Sequence, residues 1–180
     1  MLSVRRANLS DAEDIYRWEF HPSSRKWMSD ITVVDFRNHM SWLRDKLVDE
    51  TVCLMIICKD NTKKIAIVRC NISDCSNKVE IGITVDPDNR GKGYSRQCLR
   101  LAMIFTQENI WPIFTFTSKI KHGNTVSQKL FTSMGFKFVK ARAGFDYFEC
   151  NYKWYFNRQI LLYCNGYSNK LLCQLSSILW

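Results

Sequence analysis

The chain predicts an α+β domain built on one mixed sheet, and three observations carry that prediction. Seven short runs have the alternation or β-branched composition of strands, and four longer stretches carry apolar residues at helical spacing. The two kinds interleave as β-α-α-β-β-β-α-β-α-β-β. The 180 residues are 46% hydrophobic, which is enough for one substantial core and too short for two.

Each element has its own signal. Val4 to Ala7 reads as the opening strand, and Ser10-Asp11-Ala12-Glu13 as a capping box that starts a helix running to Phe20. His21 to Asp30 reads as a loop. The next helix, from about Val34 to Val48, is expected to bury Phe36, Met40, Leu43 and Leu47 and to turn Asp35, His39, Trp42 and Lys46 outward. Val52 to Lys59 and Ile65 to Ile72 flank the turn-rich Asp60-Asn61-Thr62, a hairpin pattern. Val79 to Val85 continues the meander. A helix from Tyr94 to about Glu108 is expected to face inward through Cys98, Leu101, Ala102 and Phe105. Ile113 to Ser118 is the next strand. Asn124 to Met134 is a capped helix with Val126, Leu130 and Met134 on one face and Gly135 at the left-handed stop. Phe136 to Lys140 and Phe145 to Tyr155 close the sheet.

Composition excludes several function classes. The eight cysteines contain no C-x-x-C, and His21, His39 and His122 follow no ligand spacing, so neither a zinc site nor a disulfide framework is expected. Most of these cysteines read as small core residues of a reducing compartment. The formal charge of +9 favours anionic company, but the 26 Lys and Arg are spread along the chain without the basic tail of a nucleic-acid binder. No signal peptide or apolar run of spanning length occurs, so a cytoplasmic protein without a membrane span is expected.

The chemistry concentrates in Val79 to Ser95, V-E-I-G-I-T-V-D-P-D-N-R-G-K-G-Y-S. A strand with alternating faces runs through Asp86-Pro87 into Arg90-Gly91-Lys92-Gly93 and then opens a helix. Small residues let successive N–H groups turn toward one point in front of a helix N-terminus, which makes an anion cradle. Neither a Walker loop nor G-x-G-x-x-G is present. The pattern R-x-x-G-x-small, filled by Arg90, Gly93 and Ser95, resembles the pyrophosphate motif of the GNAT superfamily of acyl-CoA-dependent N-acyltransferases. A second segment, N-T-V-S-Q-K-L-F-T-S-M-G-F from Asn124, resembles that superfamily's helix after the fifth strand.

The resemblance implies a GNAT fold over residues 1–157, with about seven strands flanked by about four helices and a splay between strands 4 and 5 that admits the pantetheine of acetyl-CoA. It leaves 158–180 as an extension, where Leu171, Leu172, Leu175, Ile178 and Leu179 form a helical stripe suited to the domain surface or to a homodimer contact. It implies acetyl-CoA as co-substrate, with Ile83 and Val85 offering backbone N–H groups to the thioester carbonyl. Arg90, Gly91, Lys92, Gly93, Tyr94, Ser95, Asn124 and Ser127 are implied to hold the cofactor. No metal is implied.

Amide formation from a thioester requires a base for the amine, donors for the carbonyl and an acid for the departing thiolate. Glu80, on the motif strand, is the candidate base; its plainer reading is a strand-end salt bridge. The acid is missing from its usual place. Counting from Asn124 along N-x-x-A-x-x-x-Y reaches Phe131, which donates no proton. Tyr94, Tyr147, Tyr155, water, or no acid at all remain as alternatives.

The acceptor is read from the front half. H-P-S-S-R-K-W-M followed by I-T-V-V-D-F-R-N-H-M-S-W-L resembles the acetyltransferases of nucleotide-linked 4-amino sugars in pseudaminic and related nonulosonic acid biosynthesis. Arg25, Trp27, Met28, His39 and Trp42 carry that resemblance and suit a sugar nucleotide, with aromatic faces for rings and Arg for phosphate. Acetylation of a protein N-terminus and a silent acyl-CoA-binding regulatory domain stand as alternatives, the second motivated by Phe131.

Overall fold

The computed structural model describes residues 1–29, 32, 34–73, 78–109 and 115–151. One seven-stranded sheet in the order β1-β2-β3-β4-β5-β7-β6 organises it. The strands are β1 (Leu2–Arg6), β2 (Val52–Lys59), β3 (Lys63–Ser73), β4 (Lys78–Val85), β5 (Thr115–Lys121), β6 (Lys137–Arg142) and β7 (Phe145–Asn151). The helices among the described residues are α1 (Ala12–Phe20), α2 (Pro22–Arg25), α3 (Phe36–Val48), α4 (Tyr94–Asn109) and α5 (Thr125–Ser133). The expected α+β order is present with one addition, the short α2 inside what reads as a loop. Pro22 at its first turn and the His21 ring nitrogen accepting from the Ser23 amide explain that turn. Residues 113–114, Tyr155, the extension 158–180, Cys75, Cys164 and Cys173 lie outside the described residues.

Neighbouring strands pair antiparallel except β4 and β5, which the α4 crossover lets run parallel. Their mutual pairing stops early: Lys78, Val79 and Glu80 face Thr115, Phe116 and Thr117, after which the two strands run on to Val85 and Lys121 without pairing to each other. The splay implied by the family resemblance is therefore present, and Glu80 sits at its apex.

The two faces of the sheet differ. Against α4 and α5 lies the larger core, where Met55, Val68, Val79, Ile81 and Phe116 pack on Cys98, Leu99, Ala102, Met103, Phe131 and Met134. On the other face α1 and α3 bury Ile15, Trp18 and Leu43 against Leu54, Ile56, Cys58 and Ile67. Burial pushes the thiols of Cys70 and Cys98 up to about 12 and that of Cys150 up to about 11. These are inert core residues.

Several helix faces differ from expectation. In α4 the buried set is Cys98, Leu99, Ala102, Met103 and Thr106; Leu101 and Phe105 sit at its margin. In α5 the buried residue is Phe131, while Val126 is 78% exposed at the cavity rim. The Asn124 side chain caps the Ser127 amide, and Gly135, at φ 92°, closes a Schellman motif in which the Phe136 amide donates to the Phe131 carbonyl at 3.1 Å. In α3 the buried pair is His39 and Leu43, and Phe36 is 39% exposed. His39 can go inside because its Nε2–H donates to the Ala12 carbonyl at 3.2 Å, so no polar atom is stranded.

The first helix also starts differently. Asn8, not Ser10, caps a 3-10 turn, with the Asp11 carboxylate accepting from the Asn8 amide. Burial would raise the Asp11 carboxyl, but hydrogen bonds from Arg5 and Lys64 outweigh it and hold it at about 2. No described helix is long and apolar enough to cross a membrane.

Candidate active site

A cavity of about 780 Å³ passes through the gap between β4 and β5 and joins the two faces of the sheet. Its donor half is built from the end of β4, the loop before α4, β5 and α5, and its acceptor half from α1, α2, α3 and the polar faces of β3 and β4.

In the donor half, the Asp86 amide donates back to Ile65 of β3 at 2.9 Å. Because successive N–H groups of a strand point to opposite sides, those of Ile83 and Val85 point into the gap. Beyond them Gly91 and Gly93 adopt φ of 73° and 78°, a backbone that L side chains avoid. A Cβ added at either would meet nothing within 4 Å, so the loop is open to a ligand while its backbone requires glycine. Ser95 on α4 and Asn124, Ser127 and Leu130 on α5 line the far side. Asn124 spends Oδ1 on its cap and keeps Nδ2 as a donor.

Three of the residues expected at the phosphates have side chains with partners of their own. Arg90 turns inward: its Nε donates to the Val85 carbonyl at 3.0 Å, and its two terminal nitrogens donate to Ser23 and Ser24 Oγ at 2.5 Å. Burial lowers its pKa. Arg90 thus ties the cradle to α2 while still lining the cavity beside the loop backbone. Lys92 folds back on the Asp88 carbonyl at 2.6 Å. Tyr94 packs on the large core beside Lys59, whose ammonium lies 5.6 Å from its ring, and does not line the cavity. Tyr147 is paired with Lys140 instead. Among the described residues no tyrosine lines the cavity, and Phe131 lines it with its ring edge-on to Phe136.

In the acceptor half, Glu80, Gly82 and Thr84 share a face with Asn71, Arg69 and Ile67, their partners across β3 and β4. All six line the cavity. Glu80 is exposed at the boundary between the halves, opposite the buried Val79 and Ile81. Arg25, Trp27, Met28, His39 and Trp42 also line this half. His39 does so as a buried spacer between Tyr16, Phe20 and Trp42, and burial lowers its pKa.

Glu19 and Arg69 are cavity residues that sequence reasoning missed, joined by an ion pair at 3.1 Å. Burial raises the Glu19 carboxyl against the pull of Arg69 and Arg25. A signal existed: Arg69 and Asn71 interrupt the apolar run of β3 at alternate positions, which marks one polar face. Among the described residues no group of three His, Cys, Asp or Glu side chains is placed to hold a metal.

An open glycine loop ahead of a helix N-terminus, a strand with inward N–H groups and a slot through the sheet together fit coenzyme A. Comparisons with known proteins agree. Residues 2–137 match the model of the acetyltransferase (GNAT) domain family. A spermidine N-acetyltransferase from Vibrio cholerae, solved with CoA and spermine, superposes with a TM-score of 0.78 at 15% identity, over 87% of this chain and 98% of that one. A domain from Methanocaldococcus jannaschii gives 0.70 at 25% identity, over 84% and 98%. An uncharacterized protein from Bacillus halodurans gives 0.76 at 16%, over 92% of each. No curated protein matches the sequence. The chain belongs to the GNAT acetyltransferase family and is an acetyl-CoA-dependent N-acetyltransferase.

Proposed function

We propose that the chain moves an acetyl group from acetyl-CoA to the primary amine of a small acceptor by direct attack, with Glu80 drawing the proton from the amine through water. The observation that carries this is the position of Glu80 at the last pair before β4 and β5 part, on the cavity face and between the two halves. A carboxylate there meets an amine arriving from one side and a thioester from the other.

The neutral amine attacks the carbonyl carbon, the Ile83 and Val85 N–H groups take the developing oxyanion, and the C–S bond breaks to release thiolate. A thiol with a pKa near ~8.5 leaves without obligatory protonation, so Phe131 is compatible with turnover. Ser95 and Ser127 supply hydroxyls on that side of the cavity. The plainer reading of Glu80 as a salt-bridge partner is not favoured, since the ion pair nearby joins Lys78 to Glu149.

The acceptor we propose is the 4-amino group of a nucleotide-linked deoxy amino sugar, supported by Arg25, Trp27, Met28 and Trp42 at the cavity wall. A polyamine is the second reading, supported by the fold likeness to the Vibrio cholerae enzyme and by the carboxylates Glu19 and Glu80 in the cavity. Incubation with acetyl-CoA and either UDP- or dTDP-linked 4-amino sugars, spermidine or ribosomal-protein N-terminal peptides, followed by thiol release, separates them. Turnover confined to the sugars supports the first reading, and background thiol release on every panel overturns acetyl transfer itself.

A further inference from the structure

The acceptor half holds an arrangement that takes no part in the bond-making step. Two guanidinium groups each lie over an aromatic ring: Arg25 over Phe20 at 4.7 Å and Arg69 over Trp42 at 4.7 Å, carbon to ring centre. Both arginines and Glu19, which stands between their fields, line the same cavity. Glu19 takes one terminal nitrogen of Arg69, and Trp42 is itself braced against the buried His39 ring at 5.4 Å. Arg25 is oriented by the Met28 sulfur at 3.5 Å and by the Thr32 carbonyl.

The donors are not exhausted by these contacts. Arg69 Nε is buried without a hydrogen-bond partner, so the guanidinium is under-satisfied, while the side chain as a whole stays 36% exposed along the cavity. Lys26 adds a third cation to this wall, against the two carboxylates Glu19 and Glu80. A polycation would meet that surplus of positive charge, whereas an oxyanion would meet preorganised planar forks.

We infer that Arg69, held by Glu19 and Trp42, forms with Arg25 a two-arginine oxyanion site that selects acceptors carrying a phosphate or carboxylate in addition to their amine. This rests on the acetyl-transfer reading for its use, but not for its detection. Arg69 and Arg25 are specificity residues here and Glu19 is a positioning residue.

The test is titration of inorganic pyrophosphate, UDP and succinate into the full chain presaturated with CoA, so that the cradle before α4 is already filled. The expected result is one further anion per chain, weakened at least tenfold by Arg69→Met and by Arg25→Met, with CoA affinity unchanged within about twofold. Preference for pyrophosphate and UDP over succinate assigns the anion to phosphate, and the reverse to carboxylate. Arg69→Lys keeps a charge beside Glu19 and guards against a folding artefact; it is expected to retain the melting temperature and still lose binding, because an ammonium lacks the fork. No anion binding to the CoA-saturated protein, or binding indifferent to Arg69 substitution, overturns the inference. Efficient spermidine acetylation without an anion site would overturn it while sparing acetyl transfer. Arg69-dependent pyrophosphate binding without turnover on any amine would do the opposite.

Discussion

The two halves of the cavity are made of different materials. The donor half is backbone: strand N–H groups, two glycines in left-handed conformations and two helix N-termini. The acceptor half is long side chains laid on rings, Arg69 on Trp42 and Arg25 on Phe20, with Glu19 between. A main chain offers the same groups whatever the sequence, so it suits a cofactor that stays the same. Side chains change by single substitutions and suit an acceptor that must be distinguished from others.

The largest expected effect falls on the boundary between the halves. Glu80→Gln is expected to lower kcat by roughly 10²–10³ while leaving the acetyl-CoA Kd within twofold, measured by thiol release and by titration calorimetry. Loss of cofactor affinity instead would move Glu80 into the donor half and break the division.

Next comes the support beneath the acceptor half. Asp11→Asn leaves Arg5 and Lys64 without their buried partner and is expected to cost about 2 kcal/mol in urea unfolding, moderated by the water both cations still reach. The wild-type carboxyl titrates at about 2 in the folded state against an ordinary 3.8. Its contribution is therefore complete above about pH 4 and disappears as pH falls through about 2; the Asn variant should lack that segment of acid sensitivity.

The division was legible to different depths in the sequence. Gly93, Asn124 and Gly135 announce their conformations, because a positive φ or a cap constrains residue type at one position. The hairpin at Asp60-Asn61, both left-handed at φ 51° and 62°, was readable for the same reason. Helix faces were less so: His39 reads as polar and therefore outside until the Ala12 carbonyl is known to be waiting for its proton. That Arg90 also bonds Ser23 and Ser24, far away in the chain, is equally invisible locally. The Glu19 and Arg69 pair joins a helix to a strand across the same kind of distance, and no local pattern reports such a contact.

Two smaller effects sharpen the donor side. Gly93→Ala forces a Cβ into a left-handed residue at a cost of about 1–2 kcal/mol, although the space around it is open. The acetyl-CoA KM is expected to rise roughly five- to thirtyfold with the acceptor KM unchanged, since a tenfold change corresponds to about 1.4 kcal/mol. A parallel rise in both constants would mean that the loop also shapes the acceptor half. Phe131→Tyr should change kcat by less than about threefold, because the thiolate leaves without help. A gain of tenfold or more would show that protonation of sulfur limits the natural enzyme.

The early parting of β4 from β5 has a consequence for how the molecule opens. Three residue pairs join a four-stranded sheet, β1 to β4, to the three strands β5, β7 and β6. That seam is the thinnest line across the sheet, so amide exchange in the last three strands should proceed through openings smaller than global unfolding. If acetyl-CoA binds in the seam as proposed, it touches both sides and acts as a clasp, and amide exchange there should slow in proportion to ligand saturation. A cofactor held in that slot would be a structural member of the sheet.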